Sequence, residues 1–209
     1  MFITRVSLRR YPAPNIIHGI IAAAFPGRRS DIVNENLWRV DNLGERRILL
    51  IVSVNSPDLQ KITSEMGAKN IAANQNGEND KPDKTIDYQP FLTQLRNDQV
   101  WNFRLCANPV EHKKEGPAGK RGKILALHSV PEQLEWLDRQ GTKYGFSITS
   151  SSVIGDSWIV FGNVRIRSIT FDGILHVTDA DAFRIALSRG IGRGKAYGCG
   201  LLTVAKVQI

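Results

Sequence analysis

The sequence predicts an α+β fold made of two tandem cycles of strand, helix, strand, strand, helix, strand. Three observations predict it. Runs of five to nine residues with period-two alternation or dense β-branched content recur along the 209 residues. Apolar runs of helical spacing separate them at matching places in each half. Clusters of Gly, Pro, Asn and Asp punctuate the runs.

In the first half, residues 2–9, FITRVSLR, alternate as a strand. Phe2, Thr4, Val6 and Leu8 fall on one side, and Ile3, Arg5, Ser7 and Arg9 on the other. Pro12 and Pro14 stop it. Residues 15–24, NIIHGIIAAA, follow as a short apolar helix with Asn15 at the N-cap position, ended by Phe25-Pro26-Gly27. Residues 36–41 and 46–54 read as two strands joined at Asn42-Leu43-Gly44. Ser56-Pro57 supplies a cap and a first-turn proline for a helix that runs to Met66, where Gly67 ends it. Residues 74–84 carry no apolar residue and form a loop, and 85–89 close the cycle as a strand. This order is the split β-α-β unit of a ferredoxin-like (RRM-like) domain.

The second half repeats the pattern without repeating the sequence. Residues 99–107, QVWNFRLCA, are a strand. Residues 108–123 form a polar hairpin tip with five Lys or Arg against two Glu, and 124–128 resume a strand. Ser129-Val130-Pro131-Glu132 starts a helix that ends near Gly141. Residues 146–152 and 158–178 supply further strand, with a hairpin turn at Asp172-Gly173. Thr178 or Asp179 caps a helix over AFRIALSR, and 201–208 make the last strand. The predicted domains are 1–92 and 93–209.

Composition narrows the function classes. A hydrophobic content of 42% supports a true core. The net charge of +8 points to a polyanionic partner, most often nucleic acid. Cys106 and Cys199 are the two cysteines, too few for a disulfide scaffold or a zinc cluster. No apolar run reaches the ~18 residues of a spanning helix, and the N-terminus lacks a signal-peptide core. The reading is a cytoplasmic protein with no membrane partner, no metal and no cofactor.

Between the last helix and the last strand lies LSRGIGRGKAYGCGLLTV. Gly190, Gly192, Gly194, Gly198 and Gly200 sit among Arg189, Arg193 and Lys195. Backbone turns with positive φ and amides facing an anion are within reach of such a loop. A helix C-cap followed by a tight turn into a strand is the plainer alternative. Neither common nucleotide fingerprint fits: Ala196 follows Gly194-Lys195 where Walker A needs Ser or Thr, and Lys195 stands where the dinucleotide pattern needs glycine.

Three segments carry a resemblance. His18 with Phe25-Pro26 in IIHGIIAAAFPG, the run Phe103-Arg104-Leu105-Cys106-Ala107-Asn108-Pro109, and the glycine-rich loop from Ile191 to Leu202 occur in series. Together they resemble the CasE endoribonuclease family of type I-E CRISPR systems, within the repeat-associated RNA-processing superfamily. The resemblance covers essentially the whole chain. It implies a protein that binds the repeat hairpin of precursor CRISPR RNA. It implies one metal-independent cut at the 3′ base of that hairpin, leaving a 2′,3′-cyclic phosphate and a 5′-hydroxyl. It also implies that the protein stays bound to the product and joins the other subunits of the Cascade complex.

On this resemblance His18 is the catalytic histidine. A metal-independent RNA cut needs a group near neutral pKa to move protons, and imidazole supplies one. The alternative is a histidine packed at the edge of an apolar helix. Relatives often carry tyrosine three residues earlier; this chain has Asn15 there, and two prolines separate Tyr11 from the helix. Arg28 and Arg29 either hold the scissile phosphate or are solvated. Lys113, Lys114, Lys120, Arg121 and Lys123 either flank an RNA groove or form a charged loop. Arg165 and Arg167, alternating on one strand face, and Arg189, Arg193 and Lys195 complete the RNA-binding candidates. His112 is placed against RNA backbone or solvent; His128 and His176 are read as structural. The alternative function is a non-catalytic subunit that holds the hairpin. Two further rivals are a structural subunit meeting RNA only through partners and a phosphate-binding metabolic enzyme.

Overall fold

A computed structural model describes residues 1–9, 12–25, 36–44, 46–67, 82–113, 123–161 and 163–207. The chain divides into two compact units. One comprises Met1–Gln94 with Lys195–Gly198, the other Leu95–Gly194 with Cys199–Ile209.

The first unit holds strands β1 (Phe2–Ser7), β2 (Leu37–Leu43), β3 (Arg46–Ser53) and β4 (Lys84–Asp87). They form one antiparallel sheet in the order β2-β3-β1-β4. Helix α1 (Pro14–Ala23) follows β1 and α2 (Leu59–Met66) follows β3. Thr4, Val6 and Leu8, one side of the predicted alternation, are the buried residues of the first strand and its extension. Val6 and Leu8 join Ile17 and Ile21 of α1, Trp38, Leu49 and Ile51 of the sheet, and Ile62 and Met66 of α2 in one core. Thr4, in the middle of β1, hydrogen-bonds Thr85 of β4 through the hydroxyls at 2.9 Å.

Helix starts differ from the sequence reading by one or two residues. Ala13 is the N-cap of α1 and Pro14 takes the first turn, where its missing N–H costs nothing. Asn15 therefore lies inside the helix. In α2 the cap is Asp58, whose Oδ1 accepts from the Lys61 amide at 3.2 Å, rather than Ser56. A six-residue helix, α3 (Gln89–Gln94), follows β4 and had no sequence counterpart.

The second unit holds β5 (Val100–Ala107), β8 (Phe146–Phe161), β9 (Val164–Val177) and β10 (Leu202–Lys206) in the order β10-β5-β9-β8, again all antiparallel. This repeats the order of the first sheet, and both sheets are consistent with ferredoxin-like domains. Between β5 and α4 (Val130–Lys143) a separate hairpin, β6 (Val110–Lys113) with β7 (Lys123–Ala126), is inserted. The polar run thus starts as strand, and residues 114–122 lie outside the described residues. Ser129 and Glu132 form a complete capping box on α4. Asp179 caps α5 (Ala180–Arg189) by accepting from the Asp181 and Ala182 amides. Trp136 of α4 stacks on Phe171 of β9, and Phe183 of α5 meets Phe146 of β8 edge-on.

The predicted turn at Asp172-Gly173 is absent. Both residues lie within β9, opposite Arg104 and Phe103 of β5, and the β8–β9 connection falls between Phe161 and Val164. The physical reason is a bulge in β8 between Ile148 and Ser150. It drives backbone toward β9, so that a Cβ on residue 173 would sit 2.0 Å from the Ser150 carbonyl oxygen. Glycine is used here for close approach, not for a turn. Asp172 instead pairs with Arg104 through two hydrogen bonds of 2.6 and 2.5 Å. Among the described residues no helix is long and apolar enough to cross a membrane.

Candidate active site and nucleic-acid interface

Helix α1 presents three faces at roughly 100° per residue. Ile17 and Ile21 point into the core. Ile16, Gly19, Ile20 and Ala23 line a groove of about 320 Å³ with Lys61 and Glu65 of α2. The remaining flank carries Asn15, His18 and Ala22. His18 is half-buried there, neither sealed in the core nor fully exposed. Asn15, one turn earlier, has its side-chain oxygen buried with no hydrogen-bond partner among the described residues.

The glycine-rich loop reaches this unit through one segment. A 3₁₀ turn, Lys195–Tyr197, packs on α1 and on β2. Gly198 closes the turn with φ +85°, and a Cβ there would lie 2.8 Å from the Trp38 ring. The turn thus sits directly on a buried indole. Lys195 is half-buried, and this loss of water lowers its ammonium pKa. Among the residues singled out from sequence, His18 and Lys195 therefore belong to one packed unit, on two elements in contact.

The rest of the loop belongs to the second unit. All five glycines adopt positive φ, from 72° to 92°. The amides, however, are used internally. Gly190 N–H donates to Ala186, Ile191 to Gly200, Gly198 to Lys195, Cys199 to Gly194 and Gly200 to Cys106. Arg193 pairs with Asn108 as an isolated bridge. An open row of amides facing an anion is thus replaced, at these five positions, by a loop stitched to itself and to β5. Arg189 and Arg193 are exposed. Cys106 and Cys199 are buried thiols outside any disulfide. A hydrogen bond in which the Cys199 thiol donates to Cys106, together with burial, pushes the Cys199 pKa up, which keeps it a thiol.

The remaining cationic candidates divide. Arg28, Arg29, Lys114, Lys120 and Arg121 lie outside the described residues. Lys113 and Lys123 are backbone register partners across the β6–β7 hairpin. His112 is an exposed strand residue on β6, not a loop residue. Arg165 and Arg167 lie on β9 opposite Val160 and Trp158 of β8. Arg167 donates to Asp156 at 2.9 and 2.5 Å and lies 2.6 Å from Nδ1 of His128. That pairing holds the Asp156 carboxyl below its ordinary pKa. His176, on β9, lies 3.3 Å from Asp98. Sequence reading missed Trp158 and Asp156; their only signal was alternation with the two arginines across a strand pair that could not be registered in advance.

The comparisons bear on the whole chain. A family model described as CRISPR associated protein matches residues 1–206. The chain is similar to the CRISPR-associated endoribonuclease Cse3 of Thermus thermophilus, with 31% identity over 133 residues, 56% of this chain and 61% of that protein. It is similar to the CRISPR system Cascade subunit CasE of Escherichia coli, with 32% identity over 116 residues, 49% of this chain and 56% of that protein. These alignments span less than two thirds of the curated relatives. A solved structure of CRISPR endoribonuclease Cse3 bound to 19 nt RNA shares the fold over 98% of both chains, with TM-score 0.76 and 24% identity. With its two β2-β3-β1-β4-type sheets and the family match from end to end, the chain belongs to the CRISPR-associated Cse3/CasE endoribonuclease family of type I-E systems.

Proposed function

We propose that this protein is a metal-independent endoribonuclease. It binds the repeat hairpin of precursor CRISPR RNA, cuts once at the 3′ base of that hairpin, and remains bound to it as a subunit of the Cascade complex. One observation carries the reading. Helix α1 brings a half-buried His18 into the unit where the Lys195–Tyr197 turn of the glycine-rich loop packs on that same helix. Relatives named as an endoribonuclease and as a Cascade subunit support the same reading.

The chemistry follows from RNA itself. The 2′-oxygen attacks the adjacent phosphorus as the bond to the 5′-oxygen breaks, giving a 2′,3′-cyclic phosphate and a 5′-hydroxyl. One proton leaves the 2′-hydroxyl and one reaches the departing oxygen. His18 moves one of these protons, a contribution of about 10²–10⁴-fold. Holding the two oxygens in line supplies much of the rest. In this reading the Lys195 ammonium, partly stripped of water, favours the extra negative charge of the phosphorane. The two domains, 1–92 and 93–209, divide the work between an N-terminal unit with the catalytic helix and a C-terminal unit with the basic hairpin. Arg28, Arg29, Lys113, Lys114, Lys120, Arg121, Lys123, Arg165, Arg167, Arg189 and Arg193 are the proposed phosphate contacts.

A second reading, a subunit that holds the hairpin without cutting it, has one observation in its favour. Asn15 stands where relatives often carry tyrosine, and its side-chain oxygen is buried with no hydrogen-bond partner among the described residues. Cleavage of labelled repeat RNA in EDTA, wild type beside His18→Ala, decides. A single cut by wild type, slowed about 10²–10⁴-fold in the variant, supports the enzyme. Tight binding with no cut by either protein supports the second reading. Equal cutting by both moves the active site away from α1.

A further inference from the structure

Two cysteines and a serine that the proposed chemistry does not use are packed together in the second unit. Cys106 lies on β5, Ser168 on β9 and Cys199 near the end of the glycine-rich loop. All three are buried, Cys199 at 0% exposure and the other two at 8%. Cys106 stands opposite Thr170 in register, so Ser168, two residues along β9, is its diagonal neighbour on the same face. The Cys106 sulfur is 3.0 Å from the Ser168 hydroxyl, and the Cys199 thiol hydrogen-bonds to both. One assignment satisfies every group without water. Cys199 donates to Cys106, Cys106 donates to Ser168, and Ser168 donates to Cys199. Each member of such a ring is both donor and acceptor, as a buried polar network requires.

The ring grips a particular point of the loop. The Cys199 amide donates to the Gly194 carbonyl at 3.2 Å, and the Gly200 amide to the Cys106 carbonyl at 2.6 Å. A Cβ on residue 194 would lie 3.4 Å from the Cys199 Cβ and 3.6 Å from its sulfur. Gly194 and Cys199 are thus the two posts of a neck, and the residues strung between them are Lys195–Gly198. Lys195 follows the first post directly, so its half-buried setting depends on where the neck is held.

We infer that Cys106, Ser168 and Cys199 are positioning residues that hold the neck of the glycine-rich loop and through it place the Lys195 ammonium. The inference rests on the role given to Lys195 above, but the placement itself can be read without RNA. The titratable groups on the elements packed against the turn are His18 on α1 and Arg39 and Asp41 on β2, with Tyr197 on the turn itself. Arg39 and Asp41 are paired with each other. None of the four belongs to the ring, so a change in the ring reaches Lys195 through the neck.

Amine labelling of the full chain against pH, read by mass spectrometry at the peptide carrying Lys195, tests this. In wild type Lys195 should titrate below the ordinary lysine range, because burial disfavours its charged form. Cys199→Ala and Ser168→Ala each open the ring, and both should move the Lys195 midpoint up toward the ordinary range. Cys199→Ser keeps a donor and an acceptor and should stay near wild type. Single-turnover cleavage of the repeat hairpin should follow the same order, falling by up to about 10²-fold in the alanine variants with hairpin Kd unchanged. Thermal unfolding shows which variants are folded at the assay temperature. Ser168→Ala, which leaves both sulfurs in place, decides the matter if Cys199→Ala does not fold. An unchanged Lys195 midpoint in folded Ser168→Ala would overturn the inference and reduce the cluster to packing. Equal shifts in Cys199→Ala and Cys199→Ser would overturn it in favour of side-chain shape alone. A wild type that shows the lowered midpoint, with the expected shifts in the variants, but cuts no RNA would remove the proposed function and support the placement of Lys195 by the ring.

Discussion

Replacing Gly198 by alanine should loosen the one segment of the glycine-rich loop that belongs to the first unit. Two costs add. Residue 198 has φ +85°, where an L side chain is disfavoured by about 1–2 kcal/mol. The new Cβ would also stand 2.8, 3.1 and 3.2 Å from three carbons of the Trp38 ring, which is 2% exposed and cannot swing into solvent. Forcing a methyl into such a contact costs about 1–3 kcal/mol. The sum is about 2–5 kcal/mol. Gly44→Ala is the control, because residue 44 has φ +64° and open space where its Cβ would lie. It carries the backbone cost alone. Urea unfolding should therefore separate the two variants by about 1–3 kcal/mol at unchanged slope. On the proposed chemistry, Gly198→Ala should also lose cleavage before it loses hairpin binding, since the displaced turn carries Lys195 away from α1. Equal destabilisation of the two variants would refute the argument that the loop is seated on Trp38.

Three further outcomes follow from the second unit. Ser129→Ala removes the reciprocal cap of α4 and should cost about 1 kcal/mol, a fall of roughly 2–4 °C in Tm for a chain of this size. Hydrogen bonds from Ser129 hold the Glu132 pKa below its ordinary value. The cap's contribution is thus complete above the ordinary carboxylate pKa and fades as pH falls through the lowered one; the stability gap between wild type and Glu132→Gln should close over that window. Gly173→Ala should be far more damaging, about 3 kcal/mol or more, because the Cβ meets the Ser150 carbonyl at 2.0 Å and Ser151 Cα at 2.8 Å. Gly155→Ala, whose nearest neighbour is a Thr170 hydroxyl at 3.3 Å, should be tolerated, and thermal unfolding of the pair would expose any error in the bulge geometry.

Sequence showed most clearly what is decided within one element. The alternation Thr4, Val6, Leu8 is buried as a stripe because a strand must turn alternate residues to the core. Ser129 and Glu132 cap α4 because both partners of the box lie three residues apart. Asp172-Gly173 misled for the opposite reason. The pair is a strong local turn signal, but its glycine answers a bulge in β8, a different strand, and its aspartate answers Arg104 on β5. Nothing in the local pattern separates a glycine that permits a turn from one that permits a close approach.

The candidate site was legible to the same depth. His18 and the glycine-rich loop were found from sequence as separate features. The assignment of His18 and the Lys195–Tyr197 turn to one unit depends on Trp38, a core residue that no functional pattern would select, because it is the ring beneath Gly198 that seats this turn against α1 and β2. The glycines themselves were read in two ways, as amides turned toward an anion or as a helix C-cap with a tight turn. All five adopt positive φ, and the amides at 190, 191, 198, 199 and 200 reach carbonyls of the chain. The loop's conformational freedom is therefore consumed in fixing its own shape. On the proposed function, what it offers an RNA phosphate is the side chains it carries: Arg189 and Arg193 on the exposed surface, and Lys195 half-withdrawn from water. On this view, charge reversal at Arg193 should weaken RNA binding without unfolding the loop, while a side chain at Gly198 should disturb the loop first and the chemistry as a consequence.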